Sequence, residues 1–367
     1  MDKKTNSKIS SDKYLGEGSF GCVLKPEVPC TGKAVIINKK SKTKNLVSKI
    51  FAHKEDFNKE ISASKTLQKA DPTGTNILLP YKSCQVSYKD ITKNTQAYNC
   101  EELEYSKKRY IYQLVMPYGG MRYDDYIKQY TPSLKAFFSI TEPLFKALLL
   151  LEKKNICHYD IRGANVLVGN NKKAIIIDHS LIIPYSNLYS EKNLRRLKKP
   201  YYPYPPECIV YYKIYMDKDS ESNYSYISTL YEESIRGYGE KRYDAYKSIV
   251  HMKDIKDGLE NTIKSLTTIL HTTQSTQSTQ STQSTSNTDY KNALYNHMSA
   301  YANRVDIYSV GMLIVTIYKY IDYSNVSKSI KTTFRQFIKD LIEPNVYNRP
   351  SPTEAYKRFN TIYASLK

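Results

Sequence analysis

His158-Tyr159-Asp160-Ile161-Arg162-Gly163-Ala164-Asn165-Val166-Leu167 follows directly on a long apolar run that reads as a helix over residues 133–155. Asp160 and Asn165 stand five residues apart in a loop, just ahead of a short β-prone run at 166–168. A carboxylate there suits accepting a hydroxyl proton, and an amide beside it suits holding a divalent cation. An ordinary helix-to-strand connection with polar side chains is the other reading of these ten residues. Thirteen residues beyond Asn165, Ala174-Ile175-Ile176-Ile177-Asp178 ends an apolar run in a carboxylate. A charge at the end of a buried strand is costly to leave unpaired. A metal ion or a cation would satisfy it, and a core carboxylate capping a helix is the alternative.

Upstream, Gly16-Glu17-Gly18-Ser19-Phe20-Gly21-Cys22-Val23 places three of the thirteen glycines within six positions. That density asks for backbone approaching something closely. The spacing is weak on its own, and a surface hairpin would also explain it. A dinucleotide-binding turn requires a helix opening at the third glycine. Cys22-Val23-Leu24-Lys25-Pro26 follows instead, so the turn reads as a hairpin laid over phosphates.

The 367 residues carry 55 Lys and Arg against 36 Asp and Glu, a formal net charge of +19. Apolar residues make up 40%, enough for a sizeable core and too many for a wholly disordered chain. The charge by itself invites nucleic acid, an acidic membrane surface or a phosphorylated partner. No recognition-helix, zinc-finger or RNA-binding motif accompanies it, so no specific nucleic acid is expected. Residues 1–13 are polar and lysine-rich, unlike a signal peptide. The longest apolar stretches, around 144–151 and 307–318, fall short of the roughly 20 residues of a membrane-spanning helix. Cys22, Cys30, Cys84, Cys100, Cys157 and Cys208 are dispersed, with no CxxC pair and no nearby histidine pair. Neither a zinc site nor a disulfide framework is therefore expected, and a reducing, cytoplasmic setting fits.

Short β-prone runs at 14–15, 22–24, 34–37, 46–51 and 111–116 surround one helical stretch at 55–69, where Phe57, Ile61, Ser64 and Leu67 recur at helix-like spacing. Beyond Gly119-Gly120 the pattern turns helical at 123–130, 133–155, 307–321 and 334–342, with strands at 166–168 and 174–177. The expected architecture is α+β. A polar tail over 1–13 precedes a small β-rich lobe over 14–117 and a larger helical lobe over 118–367. Gln-Ser-Thr occurs four times over 274–285, a polar uncharged repeat that cannot bury enough surface to offset chain entropy. It predicts a disordered loop inside an insertion at about 213–300, helical over 243–263.

In order and spacing, from about residue 14 to about 358, these motifs resemble the protein kinase family, whose fold is bilobal. The resemblance implies that Gly16, Glu17, Gly18, Ser19, Phe20, Gly21 and Val23 cover ATP. It puts Lys49 on the α- and β-phosphates, with Glu60 as its ion-pair partner and Glu55 as the alternative. Met116 and Tyr118 of Met116-Pro117-Tyr118-Gly119-Gly120 fall in the segment against which adenine packs. Asp160 becomes the catalytic base with Arg162 beside it, and Asn165 and Asp178 become Mg²⁺ ligands. Tyr204-Pro205-Pro206-Glu207 resembles the end of the activation segment, Asp306 opens the following helix, and Arg349 pairs with Glu207. The implied activity is transfer of the γ-phosphate of ATP to a protein hydroxyl, serine or threonine foremost. A catalytically weak pseudokinase scaffold and a tyrosine-directed enzyme are the alternatives.

The departures are specific. His179-Ser180 replaces Phe-Gly after the metal-binding aspartate, and Ser180 restricts a backbone flip that glycine permits. Tyr159 replaces the arginine that in the family pairs with a phosphorylated activation loop, so control of that kind is not expected. Arg162 stands where serine/threonine kinases commonly carry Lys and some tyrosine kinases carry Arg. Pseudokinases typically lack the lysine, the catalytic Asp or the metal Asp, whereas here Lys49, Asp160 and Asp178 are all present, with Asn165. Lys192, Arg195, Arg196, Lys198 and Lys199, against Glu191, suit an acidic or pre-phosphorylated protein substrate, with plain solvation as the other reading. The Tyr, Lys, Asn and Ile usage, and the glycine loop running into Leu24-Lys25-Pro26, are similar to kinases encoded by large DNA viruses, which would place the chain in a host cell.

Overall fold

The computed structural model describes residues 13–18, 21–94, 96–104, 110–194, 201, 203–217, 229, 232–233, 236–237, 239–250, 252–275 and 286–366. The chain forms two compact units, Met1–Gly120 with Ile177–Ser180, and Met121–Ile176 with Leu181–Lys367. The first is a β-sheet unit and the second is mainly helical, as an α+β kinase fold requires.

In the first unit, β1 (Lys13–Gly18), β2 (Gly21–Lys25), β3 (Val35–Ile36), β4 (Leu46–Phe51), β5 (Lys82–Ser87) and β6 (Tyr110–Pro117) build one antiparallel sheet in the order β1-β2-β4-β6-β5-β3. Every residue of β4 is buried. Because successive side chains point to opposite faces, Ile50 joins a core with Cys22, Leu24, Val86 and Ile111, while Phe51 joins Leu114 and Phe57. Phe57 belongs to the helix Lys54–Ala70, which buries the stripe Phe57, Glu60, Ser64 and Leu67 at the i+3/i+4 spacing of one helical face. Glu55 and Asp56 in its first turn and Lys69 in its last match the helix dipole.

Two disulfides, Cys22–Cys100 and Cys30–Cys84, overturn the expectation of a chain without disulfides. Their partners lie 78 and 54 residues apart. The pairing follows from where β2, β5 and the connecting segments lie in the sheet unit, which linear spacing does not encode. With four of the six cysteines paired, cysteine usage no longer implies a reducing compartment. Cys157 and Cys208 are buried free thiols. Buried Gln113 secures the segment after β2, donating to the Val28 carbonyl at 2.8 Å and accepting from the Ser48 hydroxyl at 2.6 Å. Strand β5 was not anticipated, because Lys82-Ser83-Cys84-Gln85-Val86-Ser87 is polar and poor in β-branched residues. Its partner β6 makes it a strand.

In the second unit, β7 (Met121–Arg122), β9 (Val166–Val168) and β10 (Ala174–Ile176) form a small sheet in the order β10-β9-β7, and β8 (Ile156–Cys157) pairs with β11 (Ile183–Pro184). The helix Leu134–Lys153 starts at Ser133, whose hydroxyl accepts from the Ala136 amide, and buries Phe137, Phe138, Leu144, Phe145 and Leu148. Phe138 and Phe145 meet Phe359 of the helix Pro352–Ser365 at 4.5 and 4.6 Å between ring centroids. That last helix was unanticipated, although its capping box of Ser351 and Glu354 with Pro352 between them is legible. The expected helices at 307–321 and 334–342 are Val305–Ile317 and Lys328–Leu341. In the insertion, Glu240–Ile249, Met252–Ser275 and Ser286–Ser299 are helical. Gln274 and Ser275 of the repeat thus continue a helix where disorder was expected. Residues 276–285 lie outside the described residues, as do 1–12. No described helix is long and apolar enough to cross a membrane.

Candidate active site

Lys49 is the residue around which the first unit organises its charge. It sits mid-sheet, opposite Val23 of β2 and Leu114 of β6, and is only 8% exposed. Its ammonium lies 3.2 Å from Glu60 Oε2 and 3.0 Å from Asp178 Oδ1. Burial acts to lower the Lys49 pKa, but the Glu60 and Asp178 carboxylates outweigh it and raise the group above the ordinary lysine value. The cation is therefore held charged between two anions. Glu60 meets it because it lies on the buried stripe of its helix, whereas Glu55 is exposed.

The segment Ile177–Ser180 completes this cluster. Asp178 adopts φ +60°, a left-handed conformation that Asp tolerates better than most residues. Ser180 Oγ donates to Asp178 Oδ1 at 3.2 Å, tying the serine to the aspartate it follows. His179 is 2% exposed, donates its backbone N–H to Glu60 Oε1 at 3.3 Å and sets Nε2 2.9 Å from the Leu78 carbonyl. A carbonyl only accepts, so Nε2 carries the proton. Burial lowers the His179 pKa below its ordinary value, which keeps the ring neutral.

Around them, Gly16, Glu17 and Gly18 lie on β1 and Gly21 and Val23 on β2, while Ser19 and Phe20 fall outside the described residues. The Glu17 carboxylate accepts from the Tyr14 hydroxyl at 3.0 Å and the Glu101 amide at 3.2 Å, tethering the hairpin to the segment beside Cys100. Met116 is half-buried on β6. Tyr118, whose amide donates to the Asn45 carbonyl at 2.9 Å, carries Lys25 Nζ 4.4 Å from its ring centroid.

In the second unit Asp306 anchors the loop, accepting from the His158 and Tyr159 amides at 2.6 and 2.9 Å. Burial raises the Asp306 pKa, and these two amides oppose that rise. Gly163 packs against Asp124, where an added Cβ would come within 2.8 Å of the carboxyl carbon. Asp160 is 8% exposed. Its Oδ2 accepts from Asn165 Nδ2 at 2.7 Å, and its Oδ1 accepts from the Tyr201 hydroxyl at 3.1 Å. Arg162 Nε lies 3.5 Å from the same Oδ1. Tyr201 was not singled out in the sequence, where nothing in Tyr201-Tyr202-Pro203-Tyr204 marks one ring over another.

The donor chemistry suits magnesium carried on phosphates. Asp178 offers a carboxylate, and Asn165, with Nδ2 donating to Asp160, has its amide oxygen as the accepting end. Both are hard oxygen donors. Among the described residues no three His, Cys, Asp or Glu side chains cluster to hold a metal unaided. Asn165 lies in the second unit and Asp178 in the first.

The buried pair Glu207–Arg349 stands apart from this chemistry. Arg349 donates both terminal nitrogens to Glu207, at 2.6 and 2.8 Å, with both side chains fully buried. The family model described as protein tyrosine and serine/threonine kinase matches residues 9–280, from the glycine hairpin through both loops and into the insertion. A match of that length shows that the chain belongs to the family of protein tyrosine and serine/threonine kinases.

Proposed function

We propose that this chain is a catalytically active kinase that transfers the γ-phosphate of ATP to hydroxyls of other proteins, serine and threonine foremost. The observation that carries the reading is Lys49, a buried ammonium kept charged between Glu60 and Asp178. A stability role alone gives weak reason to bury a cation at mid-sheet, since buried ion pairs seldom outperform apolar packing. Phosphoryl transfer asks for fixed positive charge and positioning rather than covalent chemistry.

In this reading Lys49 binds the nucleotide phosphates, and Glu60 fixes its direction. Gly16, Glu17, Gly18, Ser19, Phe20, Gly21 and Val23 cover the nucleotide, and Met116 and Tyr118 flank its base. Asp178 and Asn165 hold Mg²⁺, which when bound neutralises phosphate charge. Asp160 orients the acceptor hydroxyl and accepts its proton through Oδ1, while the Asn165 amide holds Oδ2 in place. Arg162 adds positive charge beside that oxygen. The basic residues Lys192, Arg195, Arg196, Lys198 and Lys199 favour acidic or pre-phosphorylated substrates; of these only Lys192 lies among the described residues, and it is exposed.

The test is incubation with Mg-ATP and a generic protein substrate. Asp160→Asn is expected to lower transfer by at least about 100-fold, and phosphoamino-acid analysis of the product reads out serine, threonine or tyrosine. Equal incorporation by wild type and variant would sink the enzyme reading. Absence of any thermal stabilisation by Mg-ATP would favour a scaffold instead.

A further inference from the structure

We propose that the sheet edge formed by residues 32–45 of the first unit docks on an anionic lipid bilayer. Its lysines meet the headgroups, and Val35 and Ile36 enter the apolar boundary beneath them. Over these fourteen positions the chain carries Lys33, Lys39, Lys40, Lys42 and Lys44 and no Asp or Glu. All five lysines are exposed. Lys59 and Lys93, elsewhere in the unit, are each paired with a carboxylate, Asp56 and Asp90. None of the five is so paired among the described residues.

The stretch is anchored, so docking orders little chain that is not already fixed. Strand β3 ends the sheet and pairs with β5, Val35 opposite Ser83 and Ile36 opposite Lys82. The Ile37 and Asn38 amides donate to the Tyr81 carbonyl at 2.9 and 3.1 Å. Asn38 is buried, and its side chain accepts from the Lys40 amide at 3.0 Å, capping a single turn at Lys39–Ser41. Ser41 is buried beneath that turn, while Lys39 and Lys40 face solvent.

Val35 and Ile36 are 59% and 43% exposed on this terminal strand. As consecutive strand residues they flank the edge, one on each face, so the edge itself turns toward a partner. An open edge invites another strand. A second copy is a poor match, because self-pairing sets five lysines against five. A nucleic acid would satisfy the lysines, but residues 32–45 hold no aromatic side chain for a base to stack on. It would also leave both aliphatic side chains in water. An anionic bilayer satisfies both features. Its surface potential draws the ammonium groups, and its acyl boundary receives the two aliphatic side chains. Each lysine near such a surface is worth about fivefold in affinity.

The experiment is co-sedimentation of the full chain, without nucleotide, with vesicles of phosphatidylcholine alone or mixed in equal parts with phosphatidylserine. Binding to the mixed vesicles only is expected. Changing Lys39, Lys40, Lys42 and Lys44 together to Gln should weaken it by at least about 100-fold. The same change at Lys241, Lys253, Lys256 and Lys328, exposed lysines of the second unit, should weaken it by less than about 10-fold. Both variants lose the same charge, so an equal loss would assign binding to overall charge and overturn the proposal. The chain has no Trp, and Ile36→Trp therefore reads the contact alone. Its emission is expected to shift to the blue and to be quenched by acyl-brominated lipid in the mixed vesicles; emission that vesicles leave unchanged overturns the proposal. Polyuridylate RNA is the competing probe. Binding of that RNA with the same four-lysine dependence, and no binding to vesicles, would give the surface to nucleic acid instead.

Discussion

Lys49 and His179 illustrate how single side chains in the first unit are set by the charges they face. Replacing Lys49 with Met leaves Glu60 and Asp178 without the cation between them, and removes the charge proposed to meet ATP. Transfer is expected to fall at least about 100-fold, measured as kcat/KM at saturating Mg²⁺. His179 makes a pH prediction. Burial holds its folded pKa below the ordinary 6.5, so the unfolded chain takes up a proton that the folded one refuses. Its contribution to stability is complete above pH 6.5 and is lost as pH falls below that value, with a slope of at most about 1.4 kcal/mol per pH unit. Urea unfolding at neutral and mildly acidic pH should show a smaller acid loss for His179→Phe than for wild type. The same acid loss in both would assign it to other groups.

At the scale of elements, the β1–β2 hairpin has two constraints that its glycine pattern alone does not separate. Gly21 has φ +144°, and a Cβ there would lie 1.9 Å from the Ile50 carbonyl oxygen of β4. Gly16, at φ +147°, has open space around it. Gly21→Ala is therefore expected to cost more stability than Gly16→Ala, by about 1–3 kcal/mol in urea unfolding. The need for glycine at 21 comes from the neighbouring strand, whatever lies over the loop. Cys22, next to it, is bonded to Cys100. Non-reducing peptide mapping should recover Cys22–Cys100 and Cys30–Cys84, with Cys157 and Cys208 alkylated only after unfolding. Reduction should lower stability by about 2–4 kcal/mol for one bridge, and less than twice that for both, because one loop is nested in the other.

Across the whole molecule, stability and chemistry are assigned to different residues. Glu207 and Arg349, 142 positions apart, form a fully buried fork in the second unit, and Arg349 also donates to the Glu343 carbonyl at 2.7 and 2.9 Å. Burial opposes the Arg349 charge, and Glu207 more than restores it. Arg349→Met leaves Glu207 as an uncompensated buried anion, with an expected loss of about 3–5 kcal/mol. Glu207→Leu combined with Arg349→Met should cost less than Arg349→Met alone, which a double-variant cycle by chemical denaturation measures. Lys49, Asp160, Asn165 and Asp178, by contrast, are expected to affect transfer more than folding.

Much of this was written in near neighbours along the chain. Helical spacing is local and puts Phe57, Ile61, Ser64 and Leu67 on one face, but it took the structure to bury Glu60 on that face, leave Ile61 half-buried and so separate Glu60 from Glu55. The strand runs at 46–51 and 111–116, and the residue types at Lys49, Asp160, Asn165 and Asp178, are likewise read from adjacent residues and their order. Only the tertiary structure decided that Cys22 meets Cys100 and Cys30 meets Cys84, that polar residues 82–87 become a strand, that His179 Nε2 hydrogen-bonds to the Leu78 carbonyl, and that Tyr201 reaches Asp160. Those contacts span 23 positions, from Ser87 to Tyr110, up to 101, from Leu78 to His179. Local periodicity and propensity carry no information at that separation. The contacts follow from which strands lie side by side and how loops close over them.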